Sequence, residues 1–237
     1  MSLNGGGRPD VLYDPVTPHA PMPKPPAPPI VSAEFSAAAA RPEELPPSIA
    51  LEVAFAGRSN VGKSSLLNAL MHRHALARTS STPGCTRTVN FFSVRARDGA
   101  AFTFVDLPGY GYAKRAKGEL ESWAEVAERY LLERQALRLV VVLVDARRGL
   151  EADDRDLLEM IETSKRRDRP TPKTLVVGTK LDRVSASARK PTLARITAPE
   201  RPVVGTAVSD AQSIDELWRR VRALVDLPGE APGPTAP

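Results

Sequence analysis

Gly57-Arg58-Ser59-Asn60-Val61-Gly62-Lys63-Ser64 is the stretch that decides the reading of this chain. Leu51 to Gly57 (LEVAFAG), which leads into it, is strand-like, and a helix begins at Gly62. The stretch fits G-x-x-x-x-G-K-[ST], and each fixed position has a chemical reason. Glycines let the backbone wrap tightly, so that successive N–H groups point inward at phosphate oxygens. The helix N-terminus adds the positive end of its dipole. Lys63 brings a compact charge to the β- and γ-phosphates, and the Ser64 hydroxyl is suited to Mg²⁺. A plain glycine turn is the alternative, but a chance match is rare, and this one sits between a buried strand and a helix. Gly57 through Ser64, with Ser65 after them, are therefore candidate phosphate-binding residues.

Working outward, Asp106-Leu107-Pro108-Gly109 ends a hydrophobic strand and matches D-x-x-G. A carboxylate at a strand tip can hold Mg²⁺ through a water. Gly109 lets its backbone N–H approach a γ-phosphate, a contact that exists only before hydrolysis. Between the two motifs lies a polar, aperiodic segment, Arg78 to Arg87, expected to order only around Mg²⁺ and the γ-phosphate. Its end, Gly84, Cys85, Thr86, Arg87 and Thr88, precedes the next strand. Thr86 is the candidate second hydroxyl ligand of Mg²⁺, with Thr82 and Thr88 as competitors. Tyr110 follows Gly109, where a water-positioning glutamine often stands, and its ring cannot orient water as an amide does. Unaided hydrolysis should therefore be slow. Asn60 either holds a K⁺ ion beside the phosphates or only hydrogen-bonds the loop. Lys63, Asn60, Thr86 and Gly109 are the candidate catalytic residues.

Thr179-Lys180-Leu181-Asp182 follows the strand Leu175 to Gly178. An aspartate there accepts hydrogen bonds from guanine N1–H and N2–H₂, a donor pair that adenine lacks. The Lys180 stem can lie over the base. GTP and GDP are therefore the expected nucleotides. Three histidines, His19, His72 and His74, are too few and too poorly placed for a zinc hydrolase.

The rest of the chain sets the frame. Its 237 residues hold one ordinary domain plus extensions, and 42% hydrophobic content is enough for a core. Net charge of +5 mildly favours a polyanionic partner such as RNA. A single cysteine, Cys85, excludes an internal disulfide. The longest apolar run, Leu139 to Val144, is too short for a bilayer, and the N-terminus has no apolar signal region, so a soluble cytoplasmic monomer is expected. Prolines crowd residues 1–47, read as a disordered or polyproline-like arm, with AEFSAAAA (33–40) a piece that docks at its end. Residues 228–237 read as a disordered tail, leaving 48–227 as the nucleotide-binding domain.

Within that domain strands alternate with helices. Val89 to Ala96 and Ala101 to Asp106 join through Asp98-Gly99, a hairpin signal. Helices are expected over about 118–134, 152–167 and 212–225, with strands at Leu139 to Val144, Thr174 to Gly178 and Pro202 to Thr206. The sum is an α/β fold of about six strands: a mostly parallel central sheet with one antiparallel strand and helices on both faces.

With these motifs in hand, GRSNVGKSSLLNAL (57–70), TPGCTRTVNFF (82–92), DLPGYGYAK (106–114), TKLD (179–182) and SIDELW (213–218) resemble the EngB (YsxC) family. These are ribosome-assembly GTP-binding proteins of the Ras-like TRAFAC class of P-loop GTPases. The resemblance covers about 48–227. It implies GTP and Mg²⁺ binding with Ser64 and Thr86 as metal ligands. It also implies a role in large-subunit ribosome assembly, through rRNA or a ribosomal protein of the precursor, and in normal cell division and septation. No membrane or DNA partner is expected. Departures exist: the family's usual TPGRTQ reads TPGCTR here, and the last base-contacting loop, often Phe-Ser-Ser, reads Thr206-Ala207-Val208. A Val208 N–H still suits guanine O6.

Three activities compete on these residues. A switch GTPase would use basic groups beside its second switch (Lys114, Arg115, Lys117) or at a helix end (Lys165, Arg166, Arg167, Arg169). A GTP-dependent binding module that hardly turns over is the second. A P-loop kinase or ATPase, with similar ATP and GTP affinity, is the third.

Overall fold

The computed structural model describes residues 29–77, 88–110, 117–163, 171–196 and 203–225, and within these the side chains of all but 117–124. Seven strands form one sheet in the order β1-β3-β4-β2-β5-β6-β7. They are β1 (Ile30–Ala39), β2 (Leu51–Gly57), β3 (Val89–Ala96), β4 (Ala101–Asp106), β5 (Leu137–Asp145), β6 (Lys173–Thr179) and β7 (Val203–Gly205). Helices α1 (Lys63–Leu70), α2 (Lys117–Glu133), α3 (Ala152–Thr163), α4 (Ala186–Ile196) and α5 (Ala211–Val225) cover it.

β2 pairs parallel with β4 and β5, and β6 pairs parallel with β5 and β7. β3 runs antiparallel to both of its neighbours, β4 and β1, so it is the one reversed strand. The reversal is made by the turn at Asp98-Gly99, where Gly99 has φ +85° and Ala96 N–H reaches Ala100 O at 2.8 Å. Such a positive φ suits glycine. Asp98 is held by Ala100 N–H at 3.1 Å and by the Arg222 guanidinium on α5.

Side chains of a strand alternate between faces, and both faces here are apolar. Val53, Phe55, Phe104, Leu139, Val141, Leu143 and Val177 point one way, toward α1 and α5. There the Trp218 ring lies 5.3 Å from Phe102 and 6.4 Å from Phe104. Ala54, Ala56, Val105, Val140, Val142 and Val176 point the other way, against Val126, Tyr130 and Leu131 of α2, Leu158 and Ile161 of α3, and Ile196 of α4.

Away from the nucleotide motifs, Glu52 is 1% exposed at the start of β2. Its carboxylate accepts Tyr130 OH at 2.8 Å and Arg134 Nη2 at 2.6 Å, while Arg134 Nη1 reaches Pro46 O at 2.6 Å. The pair is satisfied by hydrogen bonds on every side, the condition under which a buried charge is tolerated.

Three expectations are revised. Among the described residues the sheet has seven strands rather than about six. The arm expected over 1–47 does not extend that far, because Ile30–Ala39 is β1, followed by a short 3₁₀ turn at Pro42–Glu44. Alanine-rich segments have weak strand preference. This one forms because the outer edge of β3 supplies ladder partners from Ile30↔Ala96 to Ala39↔Val89. Helix α4 also exists where none is expected, with Pro191 inside it and Ile196 buried. Residues 1–28 and 228–237, and 164–167 of the third expected helix, lie outside the described residues.

Candidate functional site

The motifs meet at the C-terminal ends of β2, β4, β5 and β6, where parallel α/β sheets place their ligands. The turn from β2 into α1 is sharp. Asn60 and Gly62 both have positive φ, +63° and +104°, and Gly62 caps α1. Asparagine is among the few side chains that tolerate this region, and glycine enters it freely. Gly57 is needed for space instead: a Cβ there would sit 3.0 Å from Leu143 O and 2.9 Å from Val61 Cγ1. The result is a loop whose carbonyls turn outward into protein contacts. Ser59 N–H and Val61 N–H are taken by Tyr110 O and Arg58 O, both at 3.1 Å, and the N–H groups of Gly62 to Ser64, at the start of α1, are the ones suited to an anion.

Two segments take up the loop carbonyls. Thr179 Oγ1 donates to Val61 O at 2.7 Å and lies 3.2 Å from Val144 O. Lys180, itself at φ +57°, sends its Nζ back to Asn60 O at 2.6 Å. Lys180 Nζ also lies 3.3 Å from Asp145 Oδ2, at the end of β5. Asp145 accepts Arg147 Nε at 2.9 Å, Nη2 at 2.6 Å and the Arg147 backbone N–H at 3.1 Å. Arg147 first, and Lys180 after it, hold the Asp145 carboxyl well below the usual carboxylate range, against its burial.

Asp182 lies exposed beyond Leu181, whose N–H reaches Thr206 O at 3.0 Å. Thr206 N–H in turn reaches Gly178 O at 2.7 Å, and Ala207 N–H is taken by Ser213 Oγ at 3.1 Å. Val208, next along, is half-exposed.

On the other side, Lys63 and Asp106 are 8% and 2% exposed, and Lys63 Nζ pairs directly with the Asp106 carboxylate. Ser64 follows Lys63 in the first turn of α1. A hydroxyl and a carboxylate are the hard oxygen donors that Mg²⁺ takes alongside waters and phosphate oxygens, so the residues present fit that ion. Among the described residues no group of three or more His, Cys, Asp or Glu could hold a metal by itself.

Space at Gly109 is tight, since a Cβ would lie 3.2 Å from Ser59 N and Cα. Backbone bonds stitch this segment to the phosphate loop: Ser59 N–H to Tyr110 O at 3.1 Å and Tyr110 N–H to Gly57 O at 3.4 Å. The Tyr110 side chain turns toward α3 and donates its hydroxyl to Asp154 Oδ1 at 2.8 Å. Asp154 is 1% exposed and also accepts Glu151 N–H at 2.9 Å. Burial pushes the Asp154 carboxyl up, and burial beside that carboxylate pushes the Tyr110 phenol up, so the phenol stays a donor. Arg58 joins the same helix entrance, 2.6 Å from Asp153 and 3.3 Å from Glu151. A cavity of about 330 Å³ lies between these groups and Asn60.

The phosphate loop, Asp106 to Gly109 and Thr179 to Asp182 are thus brought together, with Thr206 to Val208 beside the last. Ser65 is exposed on α1 and lines a groove with Val208. Gly84, Cys85, Thr86, Arg87 and the competitor Thr82 lie outside the described residues, as does the rest of the segment Arg78 to Arg87 expected to order around Mg²⁺ and the γ-phosphate. Thr88 is described, and its hydroxyl donates to Asn90 Oδ1 at 3.1 Å. Sequence reasoning missed Asp145, Arg147 and Asp154. Asp145 had a readable signal, since it ends an apolar strand as Asp106 does; Asp154 had none.

Comparison with known proteins agrees with this arrangement. The profile of a family described as 50S ribosome-binding GTPase matches residues 52–180. A probable GTP-binding protein EngB of Anaeromyxobacter sp. (strain K) is 42% identical over 204 residues, covering 82% of this chain and 92% of that protein. The structure of Era in complex with MgGDPNP and nucleotides 1506–1542 of 16S ribosomal RNA superposes with TM-score 0.61 at 26% identity. That match covers 77% of this chain but spans only 58% of the Era chain. A solved probable GTP-binding protein engB, 22% identical, shares the fold with TM-score 0.54 over 74% of this chain and 98% of its own. Identity of that order along nearly the whole of a relative leaves one assignment: the chain belongs to the EngB family of GTP-binding proteins and is a GTP hydrolase.

Proposed function

We propose that this GTPase is a nucleotide-dependent switch in assembly of the large ribosomal subunit, acting on precursor rRNA or a ribosomal protein, and that normal cell division and septation depend on it. The observation that carries the switch is that one loop, residues 57–64, is bonded on one side to Tyr110 and on the other to Thr179 and Lys180. Phosphate contacts are thereby felt at both the D-x-x-G segment and the base pocket. Support for a ribosomal partner comes from the family description, from Era bound to ribosomal RNA, and from the net charge of +5.

In this reading residues 57–64, with Ser65, cradle the phosphates, and Lys63 neutralises charge developing at the γ-phosphate as water attacks. Mg²⁺ would be held by Ser64, Asp106 and Thr86 and would neutralise the β- and γ-phosphate oxygens. The Lys63–Asp106 pair gives each partner a counter-charge that the Mg²⁺-nucleotide replaces, Lys63 turning to phosphate. Gly109 N–H reads the γ-phosphate, Asp182 selects guanine, and the 206–208 loop closes on the base edge. With the Tyr110 hydroxyl engaged by Asp154, that side chain does not position water, and turnover is slow. Asn60 would either hold a K⁺ ion as a catalytic aid or only hydrogen-bond the loop. Equal hydrolysis rates in KCl and NaCl would end the K⁺ role. We place the protein in the cytoplasm as a monomer without membrane or DNA partners.

Sedimentation of the full chain with ribosomal subunits tests the main claim. Co-migration with the large subunit in the presence of a non-hydrolysable GTP analogue, and its loss with GDP, is expected. Equal behaviour in both would overturn the switch.

A further inference from the structure

Asp145 belongs to none of the nucleotide motifs, yet it lies between the phosphate loop and the base segment. It closes β5, the strand flanked by β2 and β6, so the ladder fixes its backbone: Leu143 pairs with Gly57 on one side and Asp145 with Thr179 on the other. Ala146 N–H to Thr179 O at 3.1 Å extends that register past the strand end. Its carboxylate is only 9% exposed and would be costly to bury alone. One oxygen receives Arg147 Nε at 2.9 Å and the Arg147 backbone N–H at 3.1 Å. The other receives Arg147 Nη2 at 2.6 Å and stands 3.3 Å from Lys180 Nζ. Arg147 sits in the field of Asp182 as well. Asp145 thus stands between two cations, Arg147 and Lys180.

We infer that Asp145 is a positioning residue for nucleotide retention: it anchors the Lys180 ammonium so that Lys180 holds the Asn60 carbonyl outward and fixes the turn from which the Gly62 to Ser64 N–H groups face phosphate. Lys180 has four rotatable bonds and a quarter-exposed side chain, so without an anion behind it the ammonium swings into solvent. Arg147 supplies the second cation that keeps Asp145 ionised and oriented. The charge on Asp145 acts through Lys180 and touches no part of the nucleotide.

This inference rests on the nucleotide lying between the 57–64 loop and Lys180–Asp182, and the test separates the two. Dissociation of a fluorescent GDP is measured by displacement from the wild-type chain and from Asp145→Ala, Asp145→Asn, Lys180→Ala and the Asp145→Ala/Lys180→Ala double variant. Charge-assisted bonds at partly exposed sites predict that Asp145→Ala releases GDP about tenfold faster. Asp145→Asn, which keeps an acceptor but no charge, falls between. The double variant matches Lys180→Ala within about twofold, because the first change acts only through the second. Multiplied effects in the double variant, with all chains unfolding cooperatively at similar temperature, overturn the inference. If Asp145→Ala does not fold, Asp145→Asn with Lys180→Ala gives the same cycle, and independence there overturns it equally. Failure of the wild-type chain to prefer GDP over ADP would instead strike the placement of the nucleotide.

Discussion

The phosphate loop and the segment proposed to select guanine are held in different ways. The loop's shape is written into its own eight residues: positive φ at Asn60 and Gly62, and a Gly57 that leaves no room for a Cβ. The segment Thr179–Asp182 has one residue at positive φ, Lys180, and takes its place from distant partners at Val61, Asn60, Asp145 and Thr206. A loop shaped largely by its own residues is preformed and needs outside bonds only to aim it. A segment held by long-range bonds transmits change. The pairing of one of each gives a site whose anion-binding part is stable and whose base-reading part responds.

The sharpest way to break this contrast is Lys63→Ala. It removes the phosphate charge and strands the Asp106 carboxylate, so affinity for GTP falls roughly a hundredfold or more by calorimetry. A loss within tenfold would mean that loop N–H groups alone carry the anion. Next is Asp182→Asn. Its amide cannot accept both guanine donors but matches a base carrying a carbonyl at C2. GTP affinity drops by about ten- to a hundredfold while xanthosine triphosphate gains, read by competition. Retained preference for GTP would remove Asp182 from the pocket. These two variants should differ on pyrophosphate alone: Lys63→Ala loses its binding, and Asp182→Asn keeps it.

How far the amino-acid order announced these parts follows the same division. The loop was readable because its fixed positions lie within eight residues, and Asp106 because it ends the alternating strand Ala101–Asp106. The mostly parallel sheet with β3 reversed was readable from apolar runs and the Asp98-Gly99 turn. What escaped were bonds between residues far apart, such as Tyr110 to Asp154 across 44 positions and Lys180 to Asn60 across 120. No local period encodes them. β1 escaped because its alanines owe their strand state to β3, and α4 because Pro191 breaks the pattern by which helices are recognised.

A smaller effect is expected from Tyr110→Phe. It deletes the donor to Asp154 Oδ1 inside the fold, while Glu151 N–H still serves the other oxygen. Stability falls by about 1–2 kcal/mol in urea titration, and GTP affinity changes less than about threefold. A large loss of affinity would show the tie to α3 to be part of the phosphate site. The smallest effect is one of pH. The folded-state value of Asp145 is depressed, so its contribution is complete above the ordinary value of 3.8 and lost as pH falls below it. Asp145→Asn should flatten the acid limb of melting temperature against pH below about 4, leaving the neutral limb parallel to wild type. Unchanged acid limbs would mean that the carboxylate is not paired in solution.

The outermost strand bears on where this protein can be cut. β1 lies along β3 from Ile30↔Ala96 to Ala39↔Val89, and it is also the end of the sheet. A fragment beginning at residue 48 would keep every nucleotide motif yet bare a full row of backbone donors and acceptors on Val89–Ala96, next to Phe91 and Phe92. Such an edge recruits strands from other copies. The shortened protein would bind its nucleotide and still be lost to self-association, for want of ten residues that lie outside every nucleotide motif.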